Sequence, residues 1–475
     1  MITITRLLAR QVKTIGRHLF GAKKHSLPTV QIISGPEGLS LAACDGERGF
    51  EYREAVSLPE CQLRAPLELF RELAASKPLP VALAPAKRGS GVLATWQDGQ
   101  TSMAQQFDLE RSREVMELLV PGTFTENPPA LLRTLHEAMQ TVAKNPFRYA
   151  TDTVQLRGKE GSVVATNGHQ LLVQRGLLLG WEEDLVCHAT TVLASPELPQ
   201  DQLVFVGKSE KYVAVRTGPW TIYLGIEKDR RYPAVDHTLW STCQAMLTWE
   251  LSPADAQFLS EHLPELPGKE DDAQPITLDL GKFIAIRGGD STGEPPTELR
   301  LRSSNFSGRP LRVSIDRRFL ERAIRLGFKQ VYFCGPDQSI QCASDTANYL
   351  WMPLHSDNCI PASKKAVVIE SPLAAETGAS LATIPISPSL LPKSPMETTT
   401  SPETSPAPAP AAKRKRTSKP TNPAAGPIEQ ATALRDQLRA LLTETNQLVK
   451  SLKRQRQQQR LMRTTLASLK ELQAA

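Results

Sequence analysis

The sequence predicts an α+β chain: three sheet-rich modules in tandem over residues 1–356, a disordered linker over 357–427 and a coiled-coil helix over 428–475. A repeated hairpin signature, a composition break after position 356 and a terminal heptad pattern carry that prediction. The signature occupies residues 162–175, where β-rich runs flank Asn167-Gly168, the dipeptide that most readily takes the positive φ angles of a tight hairpin turn. A partial copy over residues 39–52 places Asp45-Gly46 at the same point, 122 residues earlier. An amphipathic helical pattern precedes each copy, Leu8 lying 37 residues before Asp45 and Leu131 lying 36 before Asn167. Repetition at that spacing indicates duplicated domains, since solenoid units run about 20 to 50 residues.

The totals narrow the class. With 40% hydrophobic residues the chain has ample material for cores, yet no run of 18 apolar residues occurs, so no membrane span is expected. Seven scattered cysteines without CxxC spacing point to reduced thiols in a cytosol-like compartment and to no metal site. The net charge of +6 is unevenly spread, because residues 357–475 carry 17 basic and 9 acidic side chains. Residues 1–356 are therefore near neutrality, and any basic surface on them is local.

In the first module, Leu8, Val12, Ile15 and Leu19 form one helical face, while Arg6, Arg10, Lys13 and Arg17 repeat the same 4, 3, 4 spacing on the other. A phosphate-binding face competes here with an ordinary solvated surface and with an organellar transit peptide. Strand-like residues 30–33 and the Asp45-Gly46 hairpin follow, then a short helix over 66–77 and strands over 81–83 and 91–96. The second module opens at Asn127-Pro128-Pro129, a helix-entry signal, with Leu131, Leu135, Met139 and Val142 as the buried face. Beyond the central hairpin, residues 203–206, 212–216 and 221–226 alternate as strands.

The third module is fainter. Residues 252–263 read as a helix with Ser252 at its cap and Pro253 in its first turn. Strands are expected at 276–280, 283–287, 298–302, 332–334, 340–343 and 349–354, with a second helix over 316–326. In and just after that helix Arg318, Arg322, Arg325 and Lys329 repeat the one-sided basic spacing. The linker is rich in Pro, Ser, Thr and Ala and contains the basic cluster of residues 413–416. From Leu434 to Leu469 eleven positions alternate 4, 3 and eight of them are apolar, which proposes a coiled coil; a single helix docking on the body is the alternative.

Catalytic patterns are missing: no GxxxxGK[ST], HExxH, GxSxG or strand-linked GxGxxG occurs. His169 lies beside a turn without an indicated base or nucleophile, and the acidic run at Glu270, Asp271 and Asp272 reads as solvated charge. No enzyme, cofactor or metal is expected.

Residues 163–171, Val-Val-Ala-Thr-Asn-Gly-His-Gln-Leu, resemble the central signature VATDGHRLA of the bacterial beta sliding clamp, the processivity subunit of the replicative DNA polymerase. Tyr232-Pro233 is similar to the family's FPDYRR segment, residues 313–326 to its late helix, and residues 349–354 to its terminal strand ending in MPM. The resemblance implies three clamp-like domains, 1–125, 126–243 and 244–356, with helices lining one face and antiparallel sheets outside, two chains closing a homodimeric ring. It also implies a non-enzymatic, cytoplasmic, nucleoid-associated protein that encircles duplex DNA without reading its sequence and tethers polymerase subunits and other clamp-binding peptides.

A sliding ring should offer cations inward for phosphate contact. Candidates are Arg6, Arg10, Lys13, Arg17, Arg133, Lys144, Arg318, Arg322, Arg325 and Lys329. The family's client-peptide pocket maps onto Thr166, Gly168, His169, Gln170, Leu171, Pro233, His237, Leu239, Leu350, Met352, Pro353 and Leu354. Asn167 and Gln170 replace the family's Asp and Arg, residues 234–237 replace its DYRR, and His355 stands where Arg usually follows. Lost arginines remove bidentate donors, so client choice is expected to differ. The alternative reading is a degenerate clamp-fold scaffold acting through its C-terminal helix.

Overall fold

The computed structural model describes residues 1–21, 27–86, 90–109, 118–144, 149–289 and 295–373. The rest of the expected linker, its basic cluster and the expected terminal coiled coil lie outside the described residues. Five α-helices occur among the described residues: α1 (Arg6–Phe20), α2 (Leu67–Leu73), α3 (Ala130–Met139), α4 (Pro253–His262) and α5 (Arg317–Arg325). Everything else that is regular is short strand or single-turn helix, as a chain of alternating patterns punctuated by turn residues should be.

Each module is built from two antiparallel meanders. In the first module they are Thr29–Gly35, Gly38–Cys44, Arg48–Glu54 and Pro80–Pro85, Gly91–Asp98, Thr101–Asp108. The second module repeats them as Thr153–Arg157, Ser162–Thr166, Gln170–Arg175 and Val204–Lys208, Tyr212–Thr217, Trp220–Gly225. The third gives Pro275–Leu280, Ile284–Gly288, Thr297–Leu301 and Gln330–Phe333, Ile340–Ala343, Ala347–Trp351. A further strand flanks the opening strand of every meander, for instance Ile2–Thr5 beside Pro80–Pro85.

One pairing rule joins the modules. The last strand of the first module's first meander, Arg48–Glu54, pairs antiparallel with the last strand of the second module's second meander, Trp220–Gly225. Gln170–Arg175 pairs in the same way with Ala347–Trp351 of the third module, Leu171 facing Leu350. The result is one eight-stranded and one nine-stranded sheet, each spanning two modules. Aromatic side chains seal the first seam: Trp220 lies 5.9 Å from Phe50 and 4.9 Å from Tyr52, ring centre to ring centre. At the second seam Leu172 of the second module is buried in the apolar core of the third.

The two signature turns match each other but not the expected two-residue form. Cys44 pairs with Gly49 and Thr166 with Leu171, so both connections contain four residues. Only the glycines take positive φ, 99° at Gly46 and 88° at Gly168. The Asp45 carboxylate accepts from the Glu47 and Arg48 amides, and the Asn167 side-chain oxygen accepts from His169 and Gln170. These side-chain caps replace the main-chain geometry of a tighter turn.

Composition misplaced one boundary. Residues 357–373, expected to open the disordered linker, continue the fold, and Val367–Glu370 adds a parallel strand to Thr297–Leu301. A four-residue strand after a Pro- and Ser-containing stretch carries too little periodicity to be seen from sequence.

Candidate nucleic-acid interface and inter-module pocket

Helix α1 begins where the Thr5 hydroxyl accepts the Leu8 amide and ends at Gly21, whose φ is 75°. Its apolar stripe, Leu8, Val12, Ile15 and Leu19, is buried. Arg10, Lys13 and Arg17 are exposed on the opposite side. Arg6 is half-buried and donates to the Leu73 carbonyl at 3.0 Å, so its charge is partly engaged. Arg10 lies 3.4 Å from the Glu197 carboxylate, an ion pair reaching from the first module to the second. The helix is thus anchored by one face and presents cations on the other, as amphipathic spacing dictates.

The remaining expected cations separate into two groups. Arg133 on α3, Lys144 beyond it, and Arg325 and Lys329 at the end of α5 and after it are exposed. Arg318 is also exposed, but its guanidinium is held by the Asp316 carboxylate and the Asp272 carbonyl. Arg322 is a correction: only 7% exposed, it faces α3. There it donates to the Glu137 carbonyl at 2.5 Å and the Thr141 hydroxyl at 2.9 Å, with the Glu137 carboxylate at 3.5 Å. Burial pulls the Arg322 guanidinium below its ordinary pKa, opposed by the phenol of Tyr349 and the carboxylate of Glu137. Helical spacing places Arg322 on the basic stripe but cannot reveal that α3 covers that part of it.

Arg317, next to the stripe, is buried as well and donates to the carbonyls of Leu263, Leu266 and Pro267, fixing the end of α4 and its following turn to α5. Two histidines sit at the module contacts. His18 Nδ1 lies 2.9 Å from the Thr191 hydroxyl, and burial followed by the charge of Arg17 lowers its pKa. His136 is lowered chiefly by burial, with Arg322 and Arg325 adding to the effect and Glu137 opposing it.

Most of the expected pocket residues gather at the second seam. Leu171 and Leu350 face each other across the strand pair and share a small apolar cluster with Val164, Val173, Tyr232 and Val235, against which Leu239 packs. Thr166 caps the adjacent turn, accepting from the Gly168 amide and donating to the Gln170 carbonyl. Gln170 is buried, its side-chain oxygen accepting from the Tyr349 hydroxyl at 2.5 Å. His169 is exposed, and its carbonyl accepts the Met352 amide at 3.0 Å, which brings the exposed Met352 beside that turn. Pro233 and Pro353 are half-buried and His237 is exposed. Leu354 turns toward another strand, its amide donating to the Ser314 carbonyl.

Sequence reasoning missed the polar clasp of this site. Trp240 donates from its indole to the Ser339 hydroxyl at 3.1 Å, while its backbone amide and carbonyl bond the Gln341 side chain. Arg157 holds Asp236 at 2.6 Å. An isolated Trp after a Pro-containing segment was the available signal. The apolar cluster itself is buried, and what reaches the surface over it is the exposed Met352, His169 and His237 with the half-buried Pro233, Leu239 and Trp240. Among the described residues no cluster of three His, Cys, Asp or Glu side chains could hold a metal ion.

No family model and no curated protein matches the sequence. Solved structures do match in fold. The beta subunit of DNA polymerase from Streptococcus pyogenes aligns with a TM-score of 0.63 at 13% identity, over 74% of this chain and 99% of that one. A DNA polymerase sliding clamp from Pseudomonas aeruginosa gives 0.61 at 16%, over 74% and 99%. The sliding clamp of Bacillus subtilis gives 0.62 at 13%, over 74% and 98%. Through its three repeated modules, the chain has the fold of bacterial DNA polymerase III beta subunits, in a divergent sequence.

Proposed function

We propose that this protein is a sliding-clamp-like factor that surrounds duplex DNA and tethers a polymerase or repair partner, acting by raised local concentration and not by catalysis. The carrying observation is α1, whose apolar face is buried while Arg10, Lys13 and Arg17 are exposed along the other. Exposed Arg133, Lys144, Arg325 and Lys329 extend the same kind of surface through the other modules. Cations on helices and just beyond their C-terminal ends suit sequence-independent phosphate contact. Strand pairing of one module to the next supports a chain that continues into a ring with a second copy. The surface formed by exposed Met352 and half-buried Leu239 and Trp240, over the buried Leu171–Leu350 pair, is the proposed client-peptide site, its altered polar margin favouring apolar over acidic clients.

Retention on DNA tests the reading. Nicked circular DNA should hold the loaded protein through a salt wash that strips it from linear DNA of the same length. Equal loss from both forms would reject encirclement.

A further inference from the structure

Both seams obey one rule: the end of a module's first meander pairs antiparallel with the end of the next module's second meander. Applied a third time, the rule finds, among the described residues, no following module for Thr297–Leu301 and no preceding one for Thr101–Asp108. Thr101–Asp108 closes the four-stranded sheet and pairs, among the described strands, only with Gly91–Asp98. Thr297–Leu301 is covered by Val367–Glu370, which runs parallel to it, whereas each seam is antiparallel.

We propose that Val367–Glu370 is a cis cover: it occupies the edge of Thr297–Leu301 to which the pairing rule of the two seams directs Thr101–Asp108 of a second copy, and it must leave before copies join. That copies join through this edge rests on the clamp reading above; the cover and its release do not.

The covering strand fits its slot closely. Ile369 lies opposite Leu299 and packs onto the core of the third module. Glu370 lies opposite Arg300 and sits 3.8 Å from its guanidinium and 3.6 Å from that of Arg302. The Val367 amide donates to the Pro296 carbonyl and the Ser371 amide to the Arg300 carbonyl, while the Ser371 hydroxyl accepts the Arg302 amide. Yet the strand is four residues long, and Val367 and Val368 are 56% and 41% exposed. So short a parallel strand satisfies an open edge while remaining displaceable by an eight-residue antiparallel one.

The test reads amide hydrogen exchange of the 101–108 segment in the full chain, without DNA, over a range of protein concentrations. I369P removes the central amide of the covering strand; E370R keeps every amide and sets a cation against Arg300 and Arg302. Both should slow exchange at 101–108 at concentrations about tenfold or more below those the native chain requires, because a competing state populated nine-tenths or more of the time weakens apparent affinity by that factor. In the hairpin register, with Asp98 opposite Thr101, Ala104 directs its amide away from Gly91–Asp98. Adding A104P should therefore abolish the protection, whereas association through residues 428–475 would ignore it. Exchange at 101–108 that is the same in I369P, E370R and the native chain at every concentration, or protection that survives A104P, would overturn the proposal. Loss of circular-DNA retention with this exchange pattern intact would count against encirclement alone.

Discussion

Arg322 on α5 grips Glu137 on α3 twice, through the backbone carbonyl at 2.5 Å and the carboxylate at 3.5 Å, across 185 residues of chain. The cation expected to face DNA instead ties the second module to the third. Arg322→Ala leaves the Glu137 carboxylate buried without its partner and should cost about 3–5 kcal/mol. Glu137→Gln should cost less, since the carbonyl and Thr141 bonds remain. Urea unfolding of the two variants checks the order; equal losses would mean that the carbonyl and Thr141 bonds of Arg322 contribute nothing.

The exposed face of α1 carries a separate expectation. Replacing Arg10, Lys13 and Arg17 together by Ala should weaken DNA binding alike for all sequences and flatten the dependence of log affinity on log salt by about 0.9 per lost contact. Stability should fall by no more than about 1 kcal/mol, because the buried stripe of the helix is untouched and only the partly exposed Arg10–Glu197 pair is lost. Fluorescence anisotropy across a salt series measures the slope; an unchanged slope places DNA elsewhere.

At the second seam, Met352→Glu puts a charge on the margin of the apolar patch while leaving the strand pairing intact. Affinity for an apolar client peptide should fall about tenfold to a hundredfold, the scale of losing one buried Met contact. Calorimetric titration reads the loss directly. Tyr232→Phe, which deletes a hydroxyl donating to the Val164 carbonyl at 3.0 Å, should cost about 1–3 kcal/mol of stability.

The two seam histidines set a pH response. Burial lowers the folded-state pKa of both His18 and His136 below 6.5, so the unfolded chain binds more protons between the lowered values and 6.5. Stability from these groups is thus present above pH 6.5 and declines as pH drops below it. Thermal unfolding from pH 7.5 to 5 should show that decline, and His18→Gln with His136→Gln should shrink it.

Local chemistry was legible in the sequence, and contacts between distant segments were not. Asp45-Gly46 and Asn167-Gly168 announce hairpins because Gly46 and Gly168 alone accept the positive φ those turns need. The α1 stripe follows from 3.6-residue periodicity. By contrast, nothing in residues 48–54 or 220–225 tells that they pair, because a backbone ladder leaves no composition signal. Arg322 was misread for the same reason: a helical wheel shows a face, and only the neighbouring α3 decides whether that face meets water. Val367–Glu370 was hidden by a linker-like neighbourhood.

Both seams contain a ladder of main-chain hydrogen bonds, a kind of contact that does not depend on which side chains are present. A molecule fastened this way is free to drift in amino-acid content while its modules keep the same order and register. Geometry at the joins is inherited by the peptide bond, and side chains are left free to select what the assembled surface holds.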